Sequence, residues 1–343
     1  MAAAPRSRVA APIGLGIALV VLAVFAWLTF GGSRPGTGPD HSALAGTTAP
    51  STRDPLEPLT IESIQRRPHL VFQKVIRSDD YAEVSLVALD APAGTRLSTG
   101  LVCERVHFAA GRGLCLAGEH DEVSTYFAQV FDARFQAGAR IALDGAPTFA
   151  RVSPDGRYGA ISVQTRPATP EQPIAPLRTD LVDMAAGRIL TDLRDFTVVR
   201  DGTTIDDPAM DVWGVTFRND GSFFASIRTA GNVYLVEGDV ERERMTVRAS
   251  NVSAPALSPD DTRLAYAKLV SSIGPTWRFY VLDLATMEET ALAEPQSIDE
   301  QPEWLDDATV LYGRATDTWS VPADGSGLPQ PFLLGGLSPA VVP

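Results

Sequence analysis

Two short acidic segments, each followed by a tryptophan, contain the residues of this sequence that are best suited to bind a ligand. Trp213 follows the first segment and Trp304 follows the second, and their acidic residues are Asp206, Asp207, Asp211, Asp299, Glu300 and Glu303. Carboxylates beside an indole ring can bind a cation, an amine or a basic peptide. No EF-hand or similar ligand spacing accompanies them, so a solvated acidic rim is the alternative interpretation.

Motifs that encode catalysis through fixed spacing do not occur in the sequence. The four histidines, His41, His69, His107 and His120, show no His-x-x-x-His pair for a metal ion. There is no Gly-x-Ser-x-Gly elbow, no phosphate-binding loop and no dinucleotide fingerprint. We therefore predict a protein without catalytic residues, a metal site or a cofactor.

The composition of the chain is that of a globular protein with an acidic surface. It has 343 residues, of which 45% are hydrophobic and 21% charged, and its formal net charge is −13. Nucleic-acid binding requires basic residues that neutralise phosphates, and adhesion to anionic lipids requires the same. The charge argues against both partners.

The N-terminal part of the sequence predicts a membrane anchor. Residues 9–30 are uncharged and almost wholly apolar, which gives a helix long enough for a hydrocarbon core about 30 Å thick. Arg6 and Arg8 precede this stretch, so the positive-inside rule places 1–8 in the cytoplasm and the rest outside. We expect a transmembrane signal-anchor helix at 9–32 in the cell membrane. A cleaved signal peptide, whose apolar core would be shorter, is the alternative.

A flexible tether and a large folded domain follow the predicted anchor. Residues 33–59 form the predicted tether, because fifteen of the 26 residues at 33–58 are Gly, Pro, Ser or Thr. The folded domain spans 60–343. Its only cysteines, Cys103 and Cys115, should lie on adjacent antiparallel strands around a tight turn. Outside the cytoplasm such a pair favours a disulfide, and two reduced core cysteines are the alternative.

Five segments of the domain repeat one plan of strand, tight turn and strand, with their turns mostly 40–46 residues apart. They begin at Cys103, Thr148, Asp211, Ser253 and Gln301. In the turn Ser153-Pro154-Asp155-Gly156 each residue type suits its position, and a second hairpin follows each segment. This spacing is typical of a four-stranded propeller blade. One longer interval contains a proline-rich stretch from Arg166, which we interpret as an inserted loop.

Two unpaired pieces at the ends of the domain complete a sixth blade. The segment from His69 supplies three strands without a first, and Leu337 to Val342 supplies a strand with nothing after it. Pairing the last strand with the first closes the ring and removes its open edge. The sequence therefore predicts an all-β fold, a six-bladed β-propeller of four-stranded antiparallel blades closed by the C-terminal strand.

The turns of the Ser-Pro-Asp-Gly type followed by an apolar strand resemble the WD40-like repeat of TolB-type propellers over about residues 68 to 342. In such a ring the first strands of the blades line the channel, so the acidic residues and tryptophans named above should lie at its mouth. We predict a non-enzymatic, membrane-tethered, extracytoplasmic module that binds a protein of the cell envelope. A cation-dependent hydrolase that uses the acidic residues is the alternative, and the sequence leaves the partner and the oligomeric state open.

Overall fold

The computed structural model describes residues 59–76, 82–120, 124–165, 176–271 and 273–343. The predicted cytoplasmic segment and transmembrane helix, and the tether except Leu59, lie outside these residues. In the described part of the chain, no helix is long and apolar enough to cross a membrane.

The described residues form one short helix and six β-sheets, with a single 3₁₀ turn at Leu193–Asp195. Helix α1 is Ile61–Gln65, and it begins with a capping box between Thr60 and Ser63. The strands are β1 (His69–Lys74), β2 (Glu83–Ala88), β3 (Leu97–Val102), β4 (Arg105–Ala109), β5 (Arg112–Glu119), β6 (Thr125–Asp132), β7 (Ala137–Leu143), β8 (Gly145–Val152), β9 (Tyr158–Thr165), β10 (Leu177–Asp183), β11 (Arg188–Asp192), β12 (Thr197–Arg200), β13 (Thr203–Ile205), β14 (Asp211–Phe217), β15 (Ser222–Thr229), β16 (Asn232–Asp239), β17 (Arg244–Ser250), β18 (Ser253–Leu257), β19 (Arg263–Ser271), β20 (Thr276–Asp283), β21 (Glu289–Ala291), β22 (Glu303–Asp306), β23 (Thr309–Arg314), β24 (Asp317–Pro322), β25 (Gln330–Leu333) and β26 (Gly336–Val342).

The six sheets are the six predicted blades. From the channel outwards they are β26-β1-β2-β3, β4-β5-β6-β7, β8-β9-β10-β11, β14-β15-β16-β17, β18-β19-β20-β21 and β22-β23-β24-β25, which we number blades 1 to 6. Neighbouring strands within these four-stranded units are antiparallel. Among the described residues, the buried apolar side chains form six clusters, one between each pair of neighbouring blades. The core is therefore a ring of six interfaces.

The predicted turn at Ser153 shows how a local sequence sets the hairpin at the start of a blade. The Gly156 amide donates to the Ser153 carbonyl at 2.8 Å, and the Tyr158 amide donates to the Ser153 hydroxyl at 2.9 Å. Asp155 accepts from the Arg157 amide at 3.0 Å. Gly156 has a φ of +68°, which glycine adopts without the steric cost of a β-carbon. The turn thus satisfies its own polar groups and directs the chain back along the blade.

The ring closes as predicted. Strand β26 pairs antiparallel with β1, with His69 opposite Val342 and Val71 opposite Ala340. Ala340 is fully buried between blades 1 and 2. The last strand is therefore the innermost strand of the blade that contains the first three.

Blade 4 differs from the predicted four-stranded plan, because two further strands extend its outer edge. Strand β12 pairs in parallel with β17, and β13 pairs with β12. Phe196 and Val198 pack here against Met245 of the blade core. The long interval between the second and third repeats thus contains a hairpin as well as the predicted inserted loop, whose residues 166–175 lie outside the described ranges.

The predicted disulfide between Cys103 and Cys115 is present, with 5.4 Å between the Cα atoms. Cys115 lies on β5. We had expected Cys103 on the neighbouring strand β4, but it lies two residues before that strand. The Cys103 amide donates to the Ala82 carbonyl of blade 1 at 3.0 Å. The bond therefore joins the connection from blade 1 to the second strand of blade 2. Closing a loop of this length is worth about 3 kcal/mol in the chain-entropy model.

We predict that deletion of Leu337 to Pro343 sharply lowers the melting temperature or causes aggregation. The deletion exposes the inner edge of β1 and removes apolar side chains worth roughly 1.5–3 kcal/mol each when fully buried. Typical folding stabilities are only about 5–15 kcal/mol. Thermal unfolding followed by circular dichroism measures the effect. Deletion of 33–54, which its composition marks as tether, is the control, and coinciding curves for the C-terminal deletion and the parent would contradict ring closure.

Candidate functional site

The central channel is the place where all six blades meet. Its walls are the innermost strands β26, β4, β8, β14, β18 and β22. We call the face of the ring at which these strands begin the N-face, and the face at which they end the C-face. Side chains that enter the channel come from strands far apart in sequence, so they can form contacts that no local motif encodes.

Three ionisable side chains from different blades meet in the channel. Arg151 of blade 3 forms an ion pair through Nη1 with Oε2 of Glu303 of blade 6, and its Nη2 donates to the Pro302 carbonyl at 3.1 Å. The Nε2 atom of His107 lies 3.0 Å from Nη1 of Arg151 and 3.7 Å from Oε2 of Glu303. We call Arg151, Glu303 and His107 the channel cluster.

One backbone hydrogen bond indicates the tautomer of His107. The Val152 amide donates to Nδ1 at 3.1 Å, so a neutral ring carries its proton on Nε2, which faces the Glu303 carboxylate. Burial and the charge of Arg151 both lower the pKa of His107. For Glu303, burial acts to raise the pKa, but the Arg151 charge and the His107 hydrogen bond outweigh it and the pKa is lowered. The cluster is therefore one cation, one anion and one neutral ring.

A second side chain spans the channel beside this cluster. The Gln301 amide donates to the Val215 carbonyl of blade 4 at 3.1 Å and to the Pro255 carbonyl of blade 5 at 2.9 Å. The channel cluster lines two chambers of the channel, and Gln301 lines the smaller one. The chamber toward the N-face has a volume of about 50 Å³, and the chamber toward the C-face has a volume of about 540 Å³.

The first predicted acidic group is occupied by structural contacts at the N-face. Asp207 accepts from the Thr229 hydroxyl at 2.5 Å and from the Ala209 amide at 2.9 Å, while Asp206 is exposed. Asp211 is buried, pairs with Arg228 and accepts from the Leu177 amide at 2.9 Å. Trp213 is buried as well, and its Nε1 donates to the Ser253 hydroxyl at 3.2 Å. None of the four lines either chamber.

The second predicted group contributes three of its four residues to the channel. Glu300 lines the small chamber, where burial raises its pKa, and Asp299 remains exposed before β22. Glu303 belongs to the channel cluster and lines both chambers. Trp304 lines the large chamber, and its Nε1 donates to the Ala256 carbonyl at 2.9 Å.

The two groups do not converge into one site. In the described ranges of the chain, no three or more His, Cys, Asp or Glu side chains form a group that could hold a metal ion. The carboxylates instead divide among a turn, two ion pairs, a small chamber and the solvent. Convergence of all six, which the hydrolase alternative requires, is not observed.

Sequence reasoning missed the residues that define the channel. Arg151 is one arginine among many in the sequence, and His107 has no second histidine at a metal-ligand spacing. Gln301 carried no signal, because its partners lie 86 and 46 residues away along the chain. Only the blade register could have revealed these contacts, since it places the three side chains on innermost strands or directly before one.

Comparison with solved structures places the chain among β-propellers. TolB from Acinetobacter baumannii is 14% identical, with a TM-score of 0.53 over 80% of this chain and 66% of that chain. A chain of a nidogen/laminin complex is 11% identical, with a TM-score of 0.52 over 80% of this chain and 98% of that chain. A puromycin-hydrolyzing peptidase from Mycobacterium tuberculosis is 14% identical, with a TM-score of 0.48 over 78% of this chain and 45% of that chain. No protein-family model and no curated protein matches the sequence.

The blade order and the likeness to the TolB and nidogen/laminin chains define the class of protein as a six-bladed β-propeller. The expected resemblance to TolB-type propellers is confirmed at the level of the fold. The chain spans just under two thirds of the length of the Acinetobacter TolB chain. Because a propeller serves many functions, the activity has to be argued from the surfaces of this molecule.

We predict that the stability of the protein decreases as the pH falls below about 6.5, the ordinary pKa of histidine. His107 has a lowered pKa in the folded state, so the unfolded chain binds a proton that the folded chain rejects. The contribution of His107 to stability is complete above the pKa that this residue has in the unfolded chain, and it is lost as the pH falls toward its pKa in the folded protein. Buried His69, whose pKa is also lowered, acts in the same direction. We expect His107→Gln to reduce this loss by an amount on the order of 1 kcal/mol.

Urea unfolding at pH 7.5 and at pH 5.5 measures this effect. His41→Gln, which replaces a histidine of the segment that the sequence predicts as tether, is the control and should retain the slope of the parent. An identical pH dependence in the parent and in His107→Gln would show that His107 is not a source of the acid sensitivity.

Proposed function

We propose that the protein is a membrane-tethered, extracytoplasmic module that binds a protein partner of the cell envelope and does not itself catalyse a reaction. The observation that carries this proposal is a group of exposed aliphatic side chains on the N-face of three consecutive blades, 5, 6 and 1. Propellers that act as interaction modules present one face of the ring to their partners, and TolB-type propellers share this fold.

The exposed aliphatic group, which we call the N-face patch, consists of Val270, Ile273, Leu334 and Val102. Val270 and Ile273 belong to the β19–β20 hairpin of blade 5 and are 46% and 94% exposed. Leu334 follows β25 of blade 6 and is 60% exposed, and Val102 ends β3 of blade 1 and is 59% exposed. Exposed apolar groups of this kind, when contiguous, mark interaction surfaces on soluble domains.

Two tryptophans lie within the same arc. Trp277 and Trp319 start the third strands of blades 5 and 6 at the N-face and are only partly buried. The Arg314 guanidinium stacks over the Trp319 ring at 4.1 Å from its centre. Tryptophan and arginine are the side chains that most often dominate the binding energy of protein interfaces. The arc therefore has both the apolar area and the anchoring side chains that a protein partner requires.

The proposed location depends on features outside the fold. The uncharged apolar stretch at 9–30 has the length of a membrane span, and the preceding arginines orient the propeller away from the cytoplasm. The Cys103–Cys115 disulfide supports the same orientation, because such bonds persist in oxidising compartments.

We predict that a photo-crosslinking amino acid placed at Ile273 or Leu334 forms covalent adducts with a protein partner in native membranes. The same amino acid at Leu328, which is 73% exposed on the C-face, is the matched control and should form none. Immunoblotting of the irradiated membranes detects the adducts. Adducts from Leu328 alone, or from none of the three positions, would contradict the N-face proposal.

We predict that the mature protein keeps its N-terminal segment and fractionates with membranes. An apolar stretch of this length exceeds the core of an ordinary signal peptide, so it should remain as an anchor. Carbonate extraction followed by N-terminal sequencing measures both properties. A soluble chain that begins near Gly46 would refute the anchor, and the crosslinking result would still decide the binding surface.

A further inference from the structure

The large chamber at the C-face has the size and walls of a small-molecule site. All six blades contribute to it, and its volume of about 540 Å³ lies within the range of ligand pockets, roughly 300–1,000 Å³. Its walls include the apolar side chains of Phe108, Phe217, Leu257, Trp304 and Val341. The channel cluster lines the inner end of this chamber.

The charges that face this chamber leave one carboxylate without a partner. Arg151 and Glu303 at the inner end neutralise each other, and His107 is neutral. Asp261, in the turn between β18 and β19, also lines the chamber. Its carboxylate makes no hydrogen bond and no ion pair within the described residues. The chamber therefore combines apolar walls with one uncompensated negative charge.

Asp261 occupies a backbone position that two sister turns give to glycine. Gly156 and Gly221 hold the fourth position of the equivalent turns in blades 3 and 4, with φ values of +68° and +84°. Asp261 holds this position in blade 5 with a φ of +58°. The left-handed region disfavours residues with a β-carbon, although aspartate tolerates it better than most.

In the first hairpin turns of blades 3 to 6, the other aspartates named here are engaged in structural hydrogen bonds. Asp155 accepts from the Ser153 hydroxyl, Asp220 accepts from the Ser222 amide, and Asp260 accepts from the Thr262 amide. Asp306 accepts from the Ala308 amide. These side chains stabilise their own turns, whereas the Asp261 carboxylate has no such role. The Asp261 carboxylate is therefore available to pair with a ligand.

The basic side chains near Asp261 are held by other groups. Arg218 donates to Glu237 at 2.6 Å. Arg263 donates to the Asp307 carbonyl at 2.5 Å and lies 3.8 Å from Asp260. Burial raises the pKa of Asp261, Arg218 opposes this, and the nearby carboxylates of Asp220 and Asp260 reinforce it. The field at this wall of the chamber is therefore negative.

We propose that the C-face chamber binds an organic monocation, an amine or quaternary ammonium group on an apolar body, with its charge paired to Asp261. The apolar body lies against the aromatic and aliphatic walls. An anionic ligand would face Asp261 and Glu303 with no available cation, and a neutral ligand would leave Asp261 unpaired. This assignment concerns a different face and a different partner from the protein-binding surface proposed above.

Isothermal titration calorimetry of the full chain in nanodiscs, with empty nanodiscs as the blank, tests the proposal. The probes are benzyltrimethylammonium as the cation, 2-phenylethanol as the neutral analogue and phenylacetate as the anion. We expect measurable binding of the cation only. Asp261→Asn, which keeps the shape and the backbone preference, should weaken the cation by about tenfold or more.

Asp155→Asn is the matched control, because Asp155 lies in the sister turn of blade 3 and does not line the chamber. It should leave the dissociation constant within about twofold. Asp261→Gly introduces the residue that the sister turns have at this position. It serves as the second variant if Asp261→Asn does not fold. Equal binding of the three probes, absence of cation binding, or an unchanged affinity in both Asp261 variants would overturn the proposal. None of these outcomes changes the crosslinking expected at Ile273.

Discussion

The pairing of the last strand with the first is the constraint on which the rest of this structure depends. A blade of three strands would leave an open edge inside the ring and an interface without a wall. Strand β26 fills that place, and Ala340 joins the core between blades 1 and 2. Each of the six apolar clusters lies between two blades, and residues of β26 belong to both clusters that involve blade 1.

Closure also creates the chemistry of the channel. Arg151, His107 and Glu303 lie on three blades and meet only because the innermost strands face one axis. A buried ion pair of this kind contributes little net stability by itself, because desolvation offsets the attraction. The structural effect of the channel cluster is to lie between the two chambers. The cluster lines both chambers, so the two surfaces that we propose for ligands lie on opposite sides of it.

The fold could be predicted from the sequence because its period and turns are local signals. The turn at Ser153 specifies a hairpin by itself, and repetition of that unit every 40–46 residues specifies blades. The β12–β13 hairpin was missed because β12 pairs in parallel with β17, a partner about 47 residues away that no local pattern indicates. The site was predicted less well. Of the eight channel-mouth residues, Glu300, Glu303 and Trp304 line a chamber, and the carboxylate that the large chamber exposes, Asp261, looks in the sequence like an ordinary turn residue.

The additional hairpin of blade 4 shows that the length of chain between two repeats and the circumference of the ring are independent. Strands β12 and β13 lengthen the chain between the second and third repeats, yet they attach to the outermost strand of their blade. The circumference of the ring is set by the six innermost strands alone, and this insertion lies at the periphery. An insertion at the outer edge of a blade therefore leaves the diameter of the channel unchanged. The outer edge of the propeller can vary while the arrangement of the innermost strands stays constant.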